Sequence, residues 1–150
     1  MVFGKFVTEE KDMELVREIC RRVFVEELGL DQTGTMTDAF CLNALVYAGD
    51  QPAGMGRIMF DGERFTIAEV AVLPKYRGDS YGDFITRLLI DKAMMSNAQE
   101  IHLDARQGTE GFFAKIGFQN DGAAYEGCGG LWQPMVLKTD QIHKCCNCGH

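Results

Sequence analysis

The stretch Val70–Gly82 has the residue types and order of an anion-binding site. An apolar strand that ends at Pro74 runs into a glycine-containing loop, and the loop opens a helix. The first turn of a helix leaves backbone N–H groups without partners and places the positive end of the helix dipole behind them. Lys75 and Arg77 add two cationic side chains, so we expect a phosphate or pyrophosphate ligand. On physics alone, a plain strand–loop–helix turn remains an alternative.

Two common nucleotide-binding sequences are excluded. The loop has no Gly-Lys-Ser/Thr of the kind that ends a Walker-type phosphate loop. The pair Gly54 and Gly56 lacks the third glycine of a dinucleotide fingerprint and lies inside a strand pattern. The anion site predicted here is therefore of a different kind.

Hydrophobic periodicity predicts the elements that must position these residues. Apolar residues recur at helical spacing in three segments and form short runs bounded by turn residues in six others. The predicted helices cover residues 12–28, 81–96 and about 109–116. The predicted strands cover residues 42–47, 53–60, 65–73, 101–105, 118–124 and 132–138. This order indicates an α+β (mixed α/β) fold whose sheet is covered on both faces.

Length and charge limit the classes of function. At 150 residues with 46% hydrophobic residues, the chain has the size and the material of one cored domain. We predict a single domain over residues 1–138, followed by a polar tail over 139–150. The 15 Lys and Arg residues against 22 Asp and Glu give a net charge of −7. That balance argues against nucleic acid or an anionic membrane as the main partner.

The start of the chain has no apolar run of signal-peptide length, and nowhere do about 18 uncharged apolar residues follow one another. We therefore expect a cytoplasmic protein, in which thiols stay reduced. Three scattered cysteines are interpreted as packing residues: Cys20, Cys41 and Cys128.

The tail holds Cys145, Cys146 and Cys148 beside two histidines. These are enough ligands for zinc in number, but a structural zinc site normally uses two ligand pairs separated by a folded loop. We expect no metal here. A metal- or redox-responsive protein that acts through this tail is kept as an alternative.

Three stretches of the chain together carry a resemblance to a known family. Arg77-Gly78-Asp79-Ser80-Tyr81-Gly82 resembles the acyl-CoA-binding pattern Arg/Gln-x-x-Gly-x-Gly/Ala at the end of a strand. Phe112-Phe113-Ala114-Lys115-Ile116-Gly117-Phe118 looks like the element Phe-Tyr-x-Lys-x-Gly-Phe. Arg22-Val23-Phe24-Val25-Glu26-Glu27 is similar to the first helix of one bacterial branch. In order and spacing, all three resemble the GNAT (GCN5-related) N-acetyltransferase superfamily.

The resemblance implies a fold and an activity. The family's fold is a mixed, mostly antiparallel sheet flanked by helices, in which strands 4 and 5 splay apart in a V around the pantetheine arm of acetyl-CoA. The implied activity is transfer of an acetyl group from acetyl-CoA, as co-substrate, to a primary amine of a small molecule or peptide by direct attack. A homodimer is left open. A non-catalytic acyl-CoA-binding module of the same fold is the alternative.

The resemblance also implies site residues. Main-chain groups of the strand would hold the pantetheine arm, the loop amides the pyrophosphate, and the second motif would complete the cofactor site. These cofactor-binding residues are Val70, Ala71, Val72, Arg77, Gly78, Asp79, Ser80, Tyr81, Gly82, Phe112, Phe113 and Lys115. The acceptor side would use Glu26, Glu27, Asp104 and Arg106. A solvated helix end is the alternative for the two glutamates, and a solvated strand end for Asp104 and Arg106.

The chain departs from the family pattern at three positions. Ser80 stands where the pattern has glycine, and Asp79 places a carboxylate beside the expected pyrophosphate. Phe113 replaces a tyrosine that family members often use as general acid, and a phenylalanine cannot donate a proton. Tyr81 and Tyr125 are the candidates for that role. Alternatively the thiolate leaves unprotonated, which a thiol pKa of about 8.5 allows.

Glu69 is the candidate base of this chemistry. A lone carboxylate in a buried strand is costly unless it is paired, and burial raises its pKa toward a useful value. The alternative is an ion pair with Arg57 or Arg64 across the sheet. We also assign the acidic surplus to the acceptor side, where it would favour a cationic amine: Glu26, Glu27, Asp31, Asp38, Asp61, Glu63 and Glu69.

Overall fold

The computed structural model describes residues 2–27, 29, 40–127 and 130–139. The strands in this part of the chain are β1 Val2–Phe6, β2 Phe40–Ala48, β3 Gln51–Phe60, β4 Phe65–Val72, β5 Glu100–Arg106, β6 Gln119–Asn120, β7 Tyr125–Gly127 and β8 Gly130–Lys138. The helices are α1 Glu10–Cys20, α2 Tyr81–Met95 and α3 Glu110–Ile116. A π-helical segment, Arg21–Glu27, continues α1, and a 3₁₀ turn, Pro74–Tyr76, follows β4.

The strands form one sheet in the order β1-β2-β3-β4-β5-β8-β6, with β7 also paired to β8. Every neighbouring pair is antiparallel except β4 and β5, which run parallel. The predicted α+β fold with a mixed, mostly antiparallel sheet is therefore confirmed. None of the helices in the described ranges is long and apolar enough to cross a bilayer.

Strands β4 and β5 pair over only three residues and then part. Their register runs from Phe65 opposite Ile101 to Ile67 opposite Leu103. Beyond that point residues 69–72 of β4 pair only with β3, and residues 104–106 of β5 pair only with β8. The predicted V-shaped splay is present, and it opens toward the end of β4 that leads into the glycine loop.

Each face of the sheet carries its own apolar cluster. Because successive strand residues point to opposite faces, Leu45 of β2 packs with α1 while Val46 packs with α2. The α1 cluster contains Val16, Ile19 and Met55, and the α2 cluster contains Ile85, Leu89 and Ile101, all of them buried. Full burial of such a side chain contributes about 1.5–3 kcal/mol, so both helices are fixed against the sheet.

Helix α2 lies unusually close to β3, at the two glycines that the sequence analysis excluded as a nucleotide fingerprint. A Cβ placed on Gly54 would lie 2.8 Å from Ile85 Cδ1, and one on Gly56 would lie 2.5 Å from Ile85 Cγ2 and 2.9 Å from Leu89 Cδ1. These glycines therefore serve close helix–sheet packing, which sets the position of the α2 N-terminus.

We expect Gly56→Ala to lower the free energy of unfolding by about 1–3 kcal/mol, the usual cost of overpacking a dense core. Urea denaturation measures it. The matched control is Gly111→Ala in α3, where an added Cβ meets no atom within 4 Å and a helical alanine should be neutral or stabilising. Equal effects of the two substitutions would contradict this role for Gly56.

The structure differs from the sequence prediction at both ends of the chain. Strand β1 was not predicted, and the predicted strand 118–124 is reduced to the two residues of β6. The Asp121 amide still donates to the carbonyl of Pro134 at 2.8 Å, but Pro134 has no N–H to return a bond. Gly122, at φ +99°, then turns the chain away from β8.

Candidate active site

A cleft of about 610 Å³ opens where β4 and β5 part. It lies between the end of β4, the loop that follows, the first turn of α2, the end of β5 and α3. Its lining residues are Val23, Phe24, Val70, Ala71, Val72, Arg77, Gly78, Ser80, Tyr81, Gly82, Asp83, Arg106, Thr109, Phe112 and Phe113. Ten of the twelve predicted cofactor-binding residues thus meet in one cavity: Val70, Ala71, Val72, Arg77, Gly78, Ser80, Tyr81, Gly82, Phe112 and Phe113.

The main chain of β4 presents polar groups to this cleft. The Leu73 amide donates to the Ala53 carbonyl at 2.9 Å, toward β3. Because backbone groups alternate along a strand, the main-chain groups of Val70 and Val72 point the other way, into the gap. The Val72 carbonyl accepts a hydrogen bond there from Arg77 Nε at 2.9 Å. Within the described residues, no other strand pairs with this edge of β4.

The N-terminus of α2 points its free amides at the same cleft. The first helical hydrogen bond is donated by Phe84 to the Ser80 carbonyl, which leaves the N–H groups of Tyr81, Gly82 and Asp83 without helical partners. Ser80 occupies the N-cap position and makes no side-chain capping bond. Anions are favoured at such a helix end.

Aromatic rings close the far wall. Phe112 and Phe113 meet edge to face at 5.0 Å between centroids, and Phe113 meets Phe118 in the same way at 5.9 Å. Phe118 is buried, and Phe113 packs on the α2 core cluster. Gly82 faces this wall, since a Cβ there would lie 3.3 Å from Phe112 Cζ. The wall is apolar and rigid, and Phe113 offers no proton donor.

A family comparison decides what this cleft belongs to. Residues 22–139 match the family model described as an acetyltransferase (GNAT) domain. The chain belongs to the GNAT acetyltransferase family. Membership accounts for the V-shaped gap, the glycine loop and the helix N-terminus that meet in the cleft.

Individual relatives agree with the GNAT assignment. A Bacillus subtilis (strain 168) protein, provisionally named as an acetyltransferase, is 27% identical over 143 residues, covering 91% of this chain and 95% of that protein. Escherichia coli ElaA shares the fold at a TM-score of 0.83 and 17% identity, over 92% of this chain and 100% of that chain. The Thermoplasma acidophilum PaiA N-acetyltransferase, solved in complex with coenzyme A, shares the fold at a TM-score of 0.68 and 12% identity. The match covers 91% of this chain and 99% of that chain.

Ser80 has a left-handed backbone, with φ 66° and ψ 21°. This conformation costs a residue with a Cβ about 1–2 kcal/mol relative to glycine. The GNAT pattern has glycine at this position. We expect Ser80→Gly to raise the free energy of unfolding by about 1 kcal/mol, after the entropy of glycine in the unfolded chain is deducted. Ser80→Ala, which keeps the Cβ, should bring no gain. Thermal or urea unfolding measures both stabilities. Equal stabilities of Ser80→Gly and Ser80→Ala would contradict the view that the Cβ at position 80 strains the backbone.

Glu69 lies beside the GNAT cleft but is not among its lining residues. Its carboxylate Oε2 is 2.8 Å from Arg57 Nη1, so the ion pair considered as the alternative is present, with Arg57 rather than Arg64. The Cys20 thiol donates to the same oxygen at 3.9 Å. Burial raises the pKa of Glu69, and the Arg57 charge and the Cys20 thiol oppose part of that rise. A carboxylate with a raised pKa suits a general base.

The two tyrosine candidates differ in position. Tyr81 lines the cleft. The Tyr125 hydroxyl donates to Asp104 Oδ2 at 2.6 Å, and Tyr125 is not a lining residue. Desolvation, together with that bond, raises the pKa of Tyr125 to about 12. Of the two tyrosines, Tyr81 is therefore the one that lies in the cleft.

The remaining predicted residues fall in different places. Arg106, assigned from sequence to the acceptor side, lines the cleft, while Lys115 does not. Asp79 lines a smaller cavity of about 330 Å³ on the other side of the loop. Glu26 is exposed and paired with Arg21, and the Glu27 side chain lies outside the described part of the structure.

The assignment of the acidic surplus to one side was wrong for Asp61 and Glu63. Both line a polar groove of about 640 Å³ at the opposite end of β4, together with Arg64, Glu100 and other residues. Asp31 and Asp38 lie outside the described residues, as do Cys128 and the tail from residue 140 onward. Within the described ranges, no three His, Cys, Asp or Glu side chains are grouped as metal ligands.

Four lining residues were not predicted from the sequence: Val23, Phe24, Asp83 and Thr109. Val23 and Phe24 lie on the π-helical segment and reach the cleft from the α1 face. Their apolar character was visible in the sequence, but the register that turns them toward β4 depends on the widened helix. Thr109 precedes α3 and donates its hydroxyl to the Arg106 carbonyl at 2.6 Å, which ties α3 to the end of β5.

Proposed function

We propose that the protein transfers an acetyl group from acetyl-CoA to a primary amine. The observation that carries the proposal is the gap between β4 and β5, which has at its edge the main chain of Val70 and Val72, on the side not paired with β3, and has the α2 N-terminus at its end. An extended arm with amide groups can add to such an edge as a strand does. The pantetheine arm has that shape and those amides.

The charges of the cleft fit a diphosphate at its mouth. Arg77 and Arg106 line it against one carboxylate, Asp83, and the free amides of α2 add their partial charge. The polar groove at the other end of β4 has a similar volume, but three carboxylates line it against one arginine, Arg64: those of Asp61, Glu63 and Glu100. Three carboxylates repel a pyrophosphate, so we place the cofactor in the cleft despite the equal size of the groove.

The chemistry requires a base, a donor and a route for the leaving group. Acetyl-CoA, when bound, supplies an activated thioester. The lone pair of a neutral amine forms the new C–N bond as the C–S bond breaks, and the sulfur leaves with the bonding electrons. In this proposal Glu69, whose raised pKa suits a base, accepts the proton that the amine loses, and Tyr81, which lines the cleft, protonates the sulfur.

The acceptor is proposed to be a small molecule or peptide that carries a primary amine. Glu26, on the π-helical segment that continues α1, and Asp104, near the end of β5, are both exposed. An ammonium or other cationic group on the acceptor would complement their carboxylates. Tyr125 orients the Asp104 carboxylate through its 2.6 Å hydrogen bond.

Release of free thiol from acetyl-CoA across a panel of amines tests the proposal. We expect acceptor-dependent thiol release that is greatest with cationic primary amines. Tight binding of acetyl-CoA without acceptor-dependent thiol at any pH would instead identify a non-catalytic acyl-CoA-binding module. This second function is supported by Phe113, which packs against the α2 cluster and has no proton to donate to the leaving thiolate.

A further inference from the structure

We propose that Arg57, held in place by Asn43, is a positioning residue that orients Glu69 and keeps it ionised for the transfer. The inference rests on the proposed function, in which Glu69 is the base. It assigns a role to two polar side chains that lie on strands β2 and β3, away from the cofactor motif. We call Asn43, Arg57 and Glu69 the polar ladder.

The polar ladder is set by strand register. Asn43 of β2 lies directly opposite Arg57 of β3, and Arg57 lies directly opposite Glu69 of β4. Residues that face each other on neighbouring strands have side chains in reach of one another on the same face. Arg57 Nε donates to Asn43 Oδ1 at 2.8 Å, and Arg57 Nη1 lies 2.8 Å from Glu69 Oε2. The guanidinium is thus held from both sides.

The polar ladder is largely withdrawn from solvent. The side chains of Arg57 and Glu69 are only 15% and 14% exposed. A buried ion pair of this kind is often no more stable than well-packed apolar side chains of the same volume. Stability of the fold alone therefore does not account for it. A role in holding one carboxylate in a fixed place and charge state does.

The electrostatic surroundings of Glu69 make Arg57 the controlling charge. The groups that act on it are Arg57 from β3 and Cys20 from α1. Burial raises the pKa of the Cys20 thiol to about 12, so Cys20 stays neutral and does not compete for the proton. Burial draws Glu69 toward its neutral form, and the Arg57 charge opposes this. Loss of that charge leaves only the hydrogen bond from Cys20 to oppose the rise in the pKa of Glu69 that burial causes.

The test compares Arg57→Met, Arg57→Lys and Asn43→Ala with the wild type. One readout is the acidic limb of the pH profile of kcat/KM, because the base works only when ionised. The other is direct titration of the Glu69 carboxyl by ¹³C NMR, assigned with Glu69→Gln, which needs no activity. Arg64→Met is the matched control. It changes the net charge by the same amount as Arg57→Met, but Arg64 is exposed in the β3–β4 turn.

We expect Arg57→Met to raise the pKa of Glu69 and the acidic limb together by about 1–3 units. Arg57→Lys, which keeps the charge, should restore most of the wild-type profile. Asn43→Ala should lower kcat with little change in KM for acetyl-CoA, since the charge remains and only its orientation is lost. Arg64→Met should leave both readouts in place.

An unmoved limb and an unmoved Glu69 titration in Arg57→Met would overturn the inference. If Arg57→Met does not fold, Asn43→Ala decides, because it keeps the cation beside Glu69 and removes only the contact that holds it; wild-type kcat in Asn43→Ala would then overturn the inference. A wild-type protein without acetyl transfer would contradict the proposed function instead, while the NMR titration would still report whether Arg57 controls Glu69.

Discussion

Glu69→Gln is expected to lower kcat by about 10²–10⁴-fold, the usual contribution of a positioned general base. Glutamine keeps the shape of the side chain but accepts no proton from the attacking amine. KM for acetyl-CoA should stay near the wild-type value, because Glu69 is not among the lining residues of the cleft. Steady-state thiol release with saturating acceptor measures both constants.

The raised pKa of Glu69 also predicts how the activity changes with pH. Burial raises the pKa of Glu69 above the ordinary value of a glutamate, so wild-type activity should fall as the pH drops through that raised pKa. The limb should disappear in Glu69→Gln. Glu63→Gln, an exposed glutamate in the β3–β4 turn, serves as the matched control and should keep both rate and limb. Near-wild-type kcat in Glu69→Gln would remove Glu69 from the mechanism.

Gly82→Leu is expected to weaken acetyl-CoA binding by at least about 100-fold, or about 2.8 kcal/mol. A Cβ on Gly82 would already lie 3.3 Å from Phe112 Cζ and 3.9 Å from Val72 Cγ2, and both residues line the cleft. The rest of a leucine side chain must therefore occupy the gap between β4 and α3. Isothermal titration calorimetry gives the dissociation constant.

Gly111→Leu is the control for Gly82→Leu. It places the same side chain on α3, where a Cβ meets nothing within 4 Å, and should leave acetyl-CoA binding unchanged. Gly82 is helical and has no positive φ, so its leucine variant should keep the fold, as circular dichroism can verify. Undiminished affinity in a folded Gly82→Leu protein would exclude the cleft as the cofactor site.

The cofactor side of the cleft was predictable because its signals are local. The apolar run of β4, the glycines of the loop and the helical spacing of α2 follow one another along the chain, so Val70 to Gly82 could be placed from sequence.

The acceptor side depended on tertiary register and was predicted less well. Sequence left Arg57 and Arg64 as equal partners for Glu69, and the register of β3 and β4, with its irregularity after Arg57, makes the choice. Arg106 entered the cleft because β5 leaves β4 after Leu103. Neither feature has a local signal. The assignment of Asp61 and Glu63 to the acceptor side was wrong, because the position of acidic residues along the chain does not show at which end of a strand a turn lies.

Amide-resolved NMR of the protein titrated with acetyl-CoA tests most directly whether the cofactor binds in the cleft. We predict that the largest chemical-shift changes fall on the amides of Val70, Val72 and Tyr81–Asp83, where β4 and β5 part. Changes confined to the polar groove, around residues 61–65 and 96–102, would contradict it and place the cofactor at the opposite end of the sheet.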